Sequence, residues 1–254
     1  MITSLQNDRV KLAHALLTQS KTRRKEGKIA LEGLRLIRDA MERGGYSPEF
    51  ILFDPDQVNI DAITPLTNQV YEASAEVIRH ICATEQPQGI VGVFPMPTAK
   101  LPARPERVLI VDHLRDPGNL GTILRTAAGA GVDVVLVSPG SVDLYNDKAL
   151  RAAVGAHFRV PAAEKSWAEI DAYVGELPVY LADMTGDAAY DAVDWTQPHA
   201  LIIGSEADGA SPDAEGLATS RVYIPMAADT ESLNAAVAAG ILLFEAARQR
   251  NRTE

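Results

Sequence analysis

Five polar side chains stand beside apolar runs in the part of this chain beyond residue 105. They are Asn119 and Arg125 in DPGNLGTILRTA, Glu206 in GSEADGAS, and Ser232 and Asn234 in ADTESLN. Turns that follow buried strands are where an α/β sheet places its ligand. Gly204 and Gly209, on either side of Glu206, let backbone groups come close to such a ligand. Each residue also has a plainer reading: Asn119 as a helix cap, Glu206 as a solvated carboxylate, Ser232 and Asn234 as helix-capping residues. An asparagine inside a helix has poor propensity, and an arginine at position 125 interrupts an otherwise apolar helix. Taken together, an Asn, an Arg, a Glu, a Ser and an Asn at the strand ends of one sheet point to a binding site for a polar ligand. Gly118 and Gly121 lie three apart, with no third glycine at the dinucleotide-fingerprint spacing and no Gly-Lys-Ser/Thr. A nucleotide-dependent oxidoreductase or a P-loop enzyme is disfavoured on those grounds.

The elements that would position these residues alternate. Val108-Leu109-Ile110-Val111-Asp112 reads as a strand buried on both faces, followed by a loop and a helix from Leu120 to Ala130. Strand Val134 to Val137, a helix around Asp147 to Val154, strand Val179 to Ala182, strand Leu201 to Ile203 and strand Val222 to Ile224 follow. A last helix carries Leu233, Val237, Ile241 and Phe244 on one stripe. Such alternation predicts a mostly parallel sheet with helices on both faces. Upstream lies a smaller α/β unit. It has an amphipathic helix within residues 3–20, an exposed turn KTRRKEGK, and strand Ile29 to Glu32 leading through Gly33 into LRLIRDAMERGG. Strand Phe50 to Phe53, a helix around Asp61 to Leu66, strand Val70-Tyr71, a helix from Ser74 to Ile81 and strand Ile90 to Phe94 complete it. Four prolines between Pro95 and Pro105 mark a connection without periodicity. The expected organisation is residues 1–97, a linker at 98–105, and residues 106–254.

At 254 residues and 46% hydrophobic content, the chain can bury a sizeable core. Cys82 stands alone, which excludes an internal disulfide framework and any multi-cysteine metal site. No apolar run approaches the roughly 20 residues that span a bilayer, and MITSLQNDRV lacks a secretory pattern. The expectation is a cytoplasmic protein without membrane or metal. The net charge of −10 is unevenly spread: residues 1–45 hold ten Lys/Arg against five Asp/Glu. Arg23, Arg24, Lys25 and Lys28, with Lys21, form the densest basic cluster. A local positive patch is what phosphate binding requires, so these residues are candidate RNA contacts; the plain alternative is a solvated helix end.

The three blocks, in this order and spacing, resemble the SPOUT superfamily of methyltransferases, in particular its SpoU branch of RNA ribose 2′-O-methyltransferases. The carrying residues are Asn119 and Arg125, then Gly204 and Glu206, then Ile224, Pro225, Ser232, Leu233 and Asn234, and the resemblance spans residues 107–250. LRAAVGAHFRVP is similar to the bridging segment of that family. GKIALEGLRLIRDA resembles the ribosomal-protein-like substrate-binding domain attached to many members. Ala207 departs from the glycine often found there.

This resemblance implies a C-terminal α/β domain tied in a trefoil knot, an exception to the rule of unthreaded connections, and a homodimer formed through the knotted region. It implies S-adenosylmethionine as cofactor, held by Ile203, Gly204, Ser205, Ile224, Met226 and Leu233. Arg125 would clamp a substrate phosphate and stabilise the developing oxyanion, since arginine is not deprotonated in proteins. Glu206 would orient Arg125 or nearby amides, Asn119 and Ser232 would position the nucleotide, and Asn234 would brace the cofactor loop. The basic arm and attached domain favour ribosomal RNA of the large subunit, with transfer RNA as the alternative target. A non-catalytic RNA-binding module is the competing reading.

Overall fold

The computed structural model describes residues 1–59, 61, 67, 69–82, 84–205, 209–227 and 232–252. Glu206 and the expected helix around residues 62–66 lie outside the described residues. The chain divides into two compact units, residues 1–98 with 145–150, and residues 99–144 with 151–254.

The first unit is a four-stranded sheet in the order β1 (Lys28–Glu32), β4 (Ile90–Pro95), β2 (Phe50–Phe53), β3 (Val70–Glu72). β4 pairs antiparallel with β1 and with β2, while β3 runs parallel to β2. Helices α1 (Asp8–Thr18) and α4 (Ala75–Ile81) bring Val10, Ala13, Leu16, Val77 and Ile81 into a common core with Leu52 and Val91. Helix α3 (Leu34–Glu42) follows β1 through Gly33.

The KTRRKEGK stretch, expected as an exposed turn, is instead helix α2 (Ser20–Glu26). Lys, Arg and Glu are good helix formers, and basic residues favour a last helical turn. A short polar helix has no apolar period by which to be recognised. The same element corrects Arg23 as an RNA contact. Its side chain is 2% exposed, and its guanidinium donates to the carbonyls of Leu16 at 2.6 Å and Leu17 at 3.4 Å. These are last-turn carbonyls of α1, groups a helix cannot satisfy internally, so Arg23 caps α1. Arg24 and Lys25 are exposed, and Lys28 pairs with Glu49 at 2.8 Å.

The second unit is a seven-stranded sheet in the order β7 (Ala162–Glu164), β6 (Val134–Val137), β5 (Arg107–Val111), β10 (His199–Ile203), β8 (Val179–Ala182), β11 (Ser220–Tyr223), β9 (Ala188–Ala189). Every pairing in it is parallel. β10 enters between β5 and β8, with Ile203 opposite Val111 and Ile202 opposite Leu181. Its five residues are all buried, the pattern of a strand covered on both faces.

Helix α5 (Pro117–Ala130) begins earlier than the apolar pattern predicts. Asp116 is its cap, accepting from Asn119 N at 2.8 Å; Asn119 itself is not the cap. Pro117 sits in the first turn, where a missing N–H costs nothing, and Gly131 ends the helix at φ 73°. Helix α9 (Ala235–Arg250) packs along α5, and Arg250 Nη2 donates to the Ala130 carbonyl at 2.6 Å.

Two expectations about α9 are corrected. Asn234 is its cap rather than an interior residue, accepting from Ala236 N and Val237 N. Its buried face is Ala235, Ala236, Ala239, Leu242, Leu243 and Ala246. The stripe of Val237 and Phe244, expected to be buried, is 50% and 53% exposed. Small side chains allow close approach to α5, so the alanines turn inward and the bulkier residues are left outside. Helices α6 (Asp147–Ala153), α7 (Trp167–Val174) and α8 (Pro212–Leu217) complete the fold. Residues 206–208 and 228–231, which flank the C-terminal segment for which a knot is expected, lie outside the described residues. No described helix is long and apolar enough to cross a membrane.

After α6, a short 3-10 turn at Ala156–Phe158 packs beneath α5. His157 in this turn is buried and donates from Nε2 to the Leu144 carbonyl at 2.8 Å. Burial pushes its imidazole down to about 4, against smaller opposing effects of that carbonyl and the Asp143 carboxylate.

Two outcomes follow from these positions. Arg23→Ala should lower unfolding stability by about 1–3 kcal/mol, the cost of stripping a charged donor from buried carbonyls, whereas Arg24→Ala with Lys25→Ala should leave the melting temperature unchanged. For His157, the unfolded chain binds a proton near pH 6.5 and the folded chain only near pH 4. Its contribution is therefore complete above about pH 6.5 and shrinks as pH falls toward 4. Denaturant unfolding at pH 5 should show a loss of about 2 kcal/mol relative to pH 7 from this group. His157→Gln, which keeps the N–H donor and removes the titration, should flatten that slope.

Candidate active site

The strands β8, β10 and β11 end on the same edge of the sheet, and a cavity of about 270 Å³ opens there. Ala182 and Asp183 bound it at the end of β8, Ile203 to Ser205 at the end of β10, and Val222 and Ile224 at the end of β11. Leu233, Ala235 and Ala238 close it from the start of α9, so one concave surface draws on four elements. Seven candidate residues meet here: Ile203, Gly204, Ser205, Ile224, Met226, Ser232 and Leu233.

The turn after β10 is held tightly. Ser205 N donates to the Gly209 carbonyl at 3.0 Å, and Gly209 N donates back to Ser205 at 3.1 Å. A side chain at position 204 would put its Cβ 2.9 Å from the Gly209 carbonyl oxygen. Only glycine lets the two ends of this turn approach so closely, and Gly204 is itself part of the cavity lining.

The walls are mainly apolar, and among the described residues that line the cavity Asp183 is the one ionisable group. Asp183 is fully engaged. Its Oδ1 accepts from Thr185 N at 2.8 Å and Thr185 Oγ1 at 2.9 Å, and its Oδ2 from Arg221 Nη1 at 2.8 Å. Burial alone would raise this carboxyl, but the Thr185 bonds and the Arg221 guanidinium outweigh it and hold the group below the ordinary carboxylate range. Without a lysine or arginine on its described walls, the cavity is poorly suited to a pyrophosphate. It suits an uncharged or cationic nucleoside held by backbone groups and apolar contact.

Beside the cavity, the starts of α5 and α9 are joined directly. Asn234 Nδ2 donates to Asn119 Oδ1 at 3.1 Å, while Asn234 Oδ1 accepts from Ala236 N at 2.9 Å. One amide thus caps α9 and reaches the first turn of α5, just after Ser232 and Leu233 have contributed to the cavity. Arg125 stands apart from the cavity lining. It lies on the exposed face of α5 with Thr122 and Gly129, and its guanidinium makes no hydrogen bond or ion pair with a described residue.

Sequence reasoning overlooked the contribution of β8 to the cavity. Met184, next to Asp183, is 60% exposed, an unusual state for a large apolar residue but one that no residue pattern signals. Ser211, which caps α8, and the fully buried Asp112 carried no signal that singled them out. Among the described residues, no cluster of His, Cys, Asp or Glu could hold a metal ion.

Comparison with known proteins places this geometry. Residues 106–244 match the SpoU rRNA Methylase family, and residues 7–92 match an MRM3-like substrate binding domain. Over 250 residues the chain is 36% identical to the 23S rRNA (guanosine(2553)-2′-O)-methyltransferase RlmP of Bacillus subtilis, covering 96% of this chain and 97% of that protein. The crystal structure of the SpoU methyltransferase AviRb from Streptomyces viridochromogenes, in complex with the cofactor AdoMet, superposes with a TM-score of 0.86 at 30% identity. That match covers 97% of this chain and 99% of the other. An AdoMet-bound rRNA methyltransferase from Sinorhizobium meliloti gives a TM-score of 0.85 at 31% identity, covering 97% of each. The chain belongs to the SpoU rRNA methylase family.

Proposed function

We propose that this chain transfers a methyl group from S-adenosylmethionine to a ribose 2′-hydroxyl of large-subunit ribosomal RNA. The observation that carries this reading is the cavity at the strand ends. Its described walls hold no cation to meet a phosphate, and it adjoins the Asn119–Asn234 pair. The relatives named above, which act on rRNA or were crystallised with AdoMet, support the same substrate and cofactor. When bound, the cofactor supplies an electrophilic methyl group. Gly204 and the apolar side chains of Ile203, Ile224, Met226 and Leu233 are placed to hold the nucleoside, with the buried Ser205 beside them.

The remaining work falls to Ser232 on the cavity wall and to side chains beside it. Asn119 and Ser232 position the target nucleotide, and Asn234 braces the segment that carries Leu233. Arg125, free of a described partner, is available to a substrate phosphate and to the negative charge that grows on the 2′-oxygen. Since arginine does not serve as a base, the proton leaves to a phosphate oxygen or to water. Glu206 is assigned an orienting part. Arg24, Lys25 and Lys28 in the first unit offer the basic surface for RNA.

The active form is a homodimer that covers the exposed face shared by α5 and α9. Val237 and Phe244 are half exposed there. The Phe244 ring lies 3.7 Å from where a side chain on Gly129 would begin, one helical turn beyond Arg125. A second copy seated on this patch would bring its surface alongside Arg125. A cytoplasmic location belongs to the same proposal, because the rRNA substrate would be met there.

Calorimetry should detect S-adenosylmethionine binding, and mapping of 2′-O-methyl groups in rRNA from a deletion strain should reveal one missing site. Absence of cofactor binding by the folded protein would refute this function; a missing site in transfer RNA would reassign the substrate. Arg125→Ala should reduce methyl transfer by on the order of 100-fold or more, with cofactor affinity unchanged. Its stability should stay within about 0.5 kcal/mol, as for an exposed side chain with no partner to lose. Arg125→Lys should remain impaired, because it retains the charge but not the planar fork.

A further inference from the structure

Asp112 is 0% exposed at the carboxyl end of β5, at the point where the sheet turns from β5, β6 and β7 on one side to β10 and β8 on the other. Three donors converge on it. Ser138 Oγ reaches Oδ1 at 3.0 Å, Ser211 Oγ reaches Oδ1 at 3.1 Å, and Ser211 N reaches Oδ2 at 2.7 Å. No cation among the described residues pairs with it. A buried carboxylate held only by neutral donors is costly to desolvate, and a smaller polar residue could pin one loop at lower cost. What a carboxylate adds is the capacity to accept at both oxygens from two loops at once.

Those two loops lead to different parts of the site. Ser211 directly follows Gly209 and Ala210, which line the cavity, and its hydroxyl also caps α8 by accepting from Ala214 N at 3.2 Å. Ser138, at the end of β6, accepts from His113 N at 3.2 Å. His113 is held at φ 49°, an uncommon conformation for a residue with a side chain and one that neighbouring structure must enforce. From His113 the chain runs to Asp116, the cap of α5, and so to Asn119 and Arg125.

We propose that Asp112 is a positioning residue for methyl transfer, fixing the cofactor loop through Ser211 and the start of α5 through Ser138 and His113. It sets the separation between bound methyl donor and the RNA-facing side chains without touching either. This rests on the function proposed above.

The two arms can be cut separately, with steady-state kinetics on rRNA as the readout. Ser211→Ala should raise the KM for S-adenosylmethionine by about 10-fold while kcat stays within about 2-fold, the scale of one lost hydrogen bond. Ser138→Ala should do the reverse, lowering kcat by about 10-fold with KM for the cofactor held within about 2-fold. Ser211→Thr and Ser138→Thr, which keep the hydroxyls, should restore each parameter. Asp112→Asn, which turns a donor toward Ser211 N or Ser138 Oγ, should impair both. If Asp112→Asn does not fold, the serine variants still decide. Should both alanine variants move the same parameter, or neither move any while the protein stays folded, Asp112 is a structural pin only. Calorimetry of the unaltered protein with S-adenosylmethionine separates the two claims. Its failure would overturn the function, whereas normal binding with unsplit kinetics would overturn the positioning role alone.

Discussion

Everything at the site depends on β10 lying between β5 and β8 in an all-parallel sheet. A central parallel strand must be apolar on both faces, which leaves its chemistry to its ends. Because all seven strands run the same way, the carboxyl ends of β5, β8, β10 and β11 share one edge of the sheet. Segments far apart in the chain thereby become neighbours without any one of them being a motif in itself. The cavity, the Asn119–Asn234 bond and the Asp112 cluster all stand on that edge.

Much of this was legible in residue pattern, and the reason is specific. Buried parallel strands are short runs of Val, Ile and Leu, and VLIV, VVLV and LII stand out against their flanks. The polar residues after them could be marked as a site because strand ends are where such sheets bind. α7 should also have been legible. Ser166 and Glu169 form a reciprocal capping box, a spacing visible in the sequence that a search keyed to apolar runs passed over.

Other features depend on orientation, and composition carries none. Arg23, Arg24 and Lys25 are equivalent as letters, yet one is buried as a helix cap and its neighbours are exposed. In α9 the larger residues Val237 and Phe244 drew the expected core stripe, while the true core face is mostly alanine, whose weak apolar signal a pattern search discounts. Asp112 looked like the polar end of a strand. Its meaning comes from Ser211, 99 residues further on, and no local rule connects the two.

The pairing of α5 with α9 has a consequence in time. The amides that join them are 115 residues apart, and at typical synthesis rates of about 5–20 residues per second the interval between their emergence is roughly 6 to 23 s. Throughout that interval the side of α5 that α9 will cover is bare, and the cavity lacks its last wall. A nascent chain can therefore complete its first unit, with whatever affinity that unit has for RNA, well before it can hold a methyl donor. Folding of the first unit and closure of the cavity arise in that order during synthesis, set by where α9 falls in the chain.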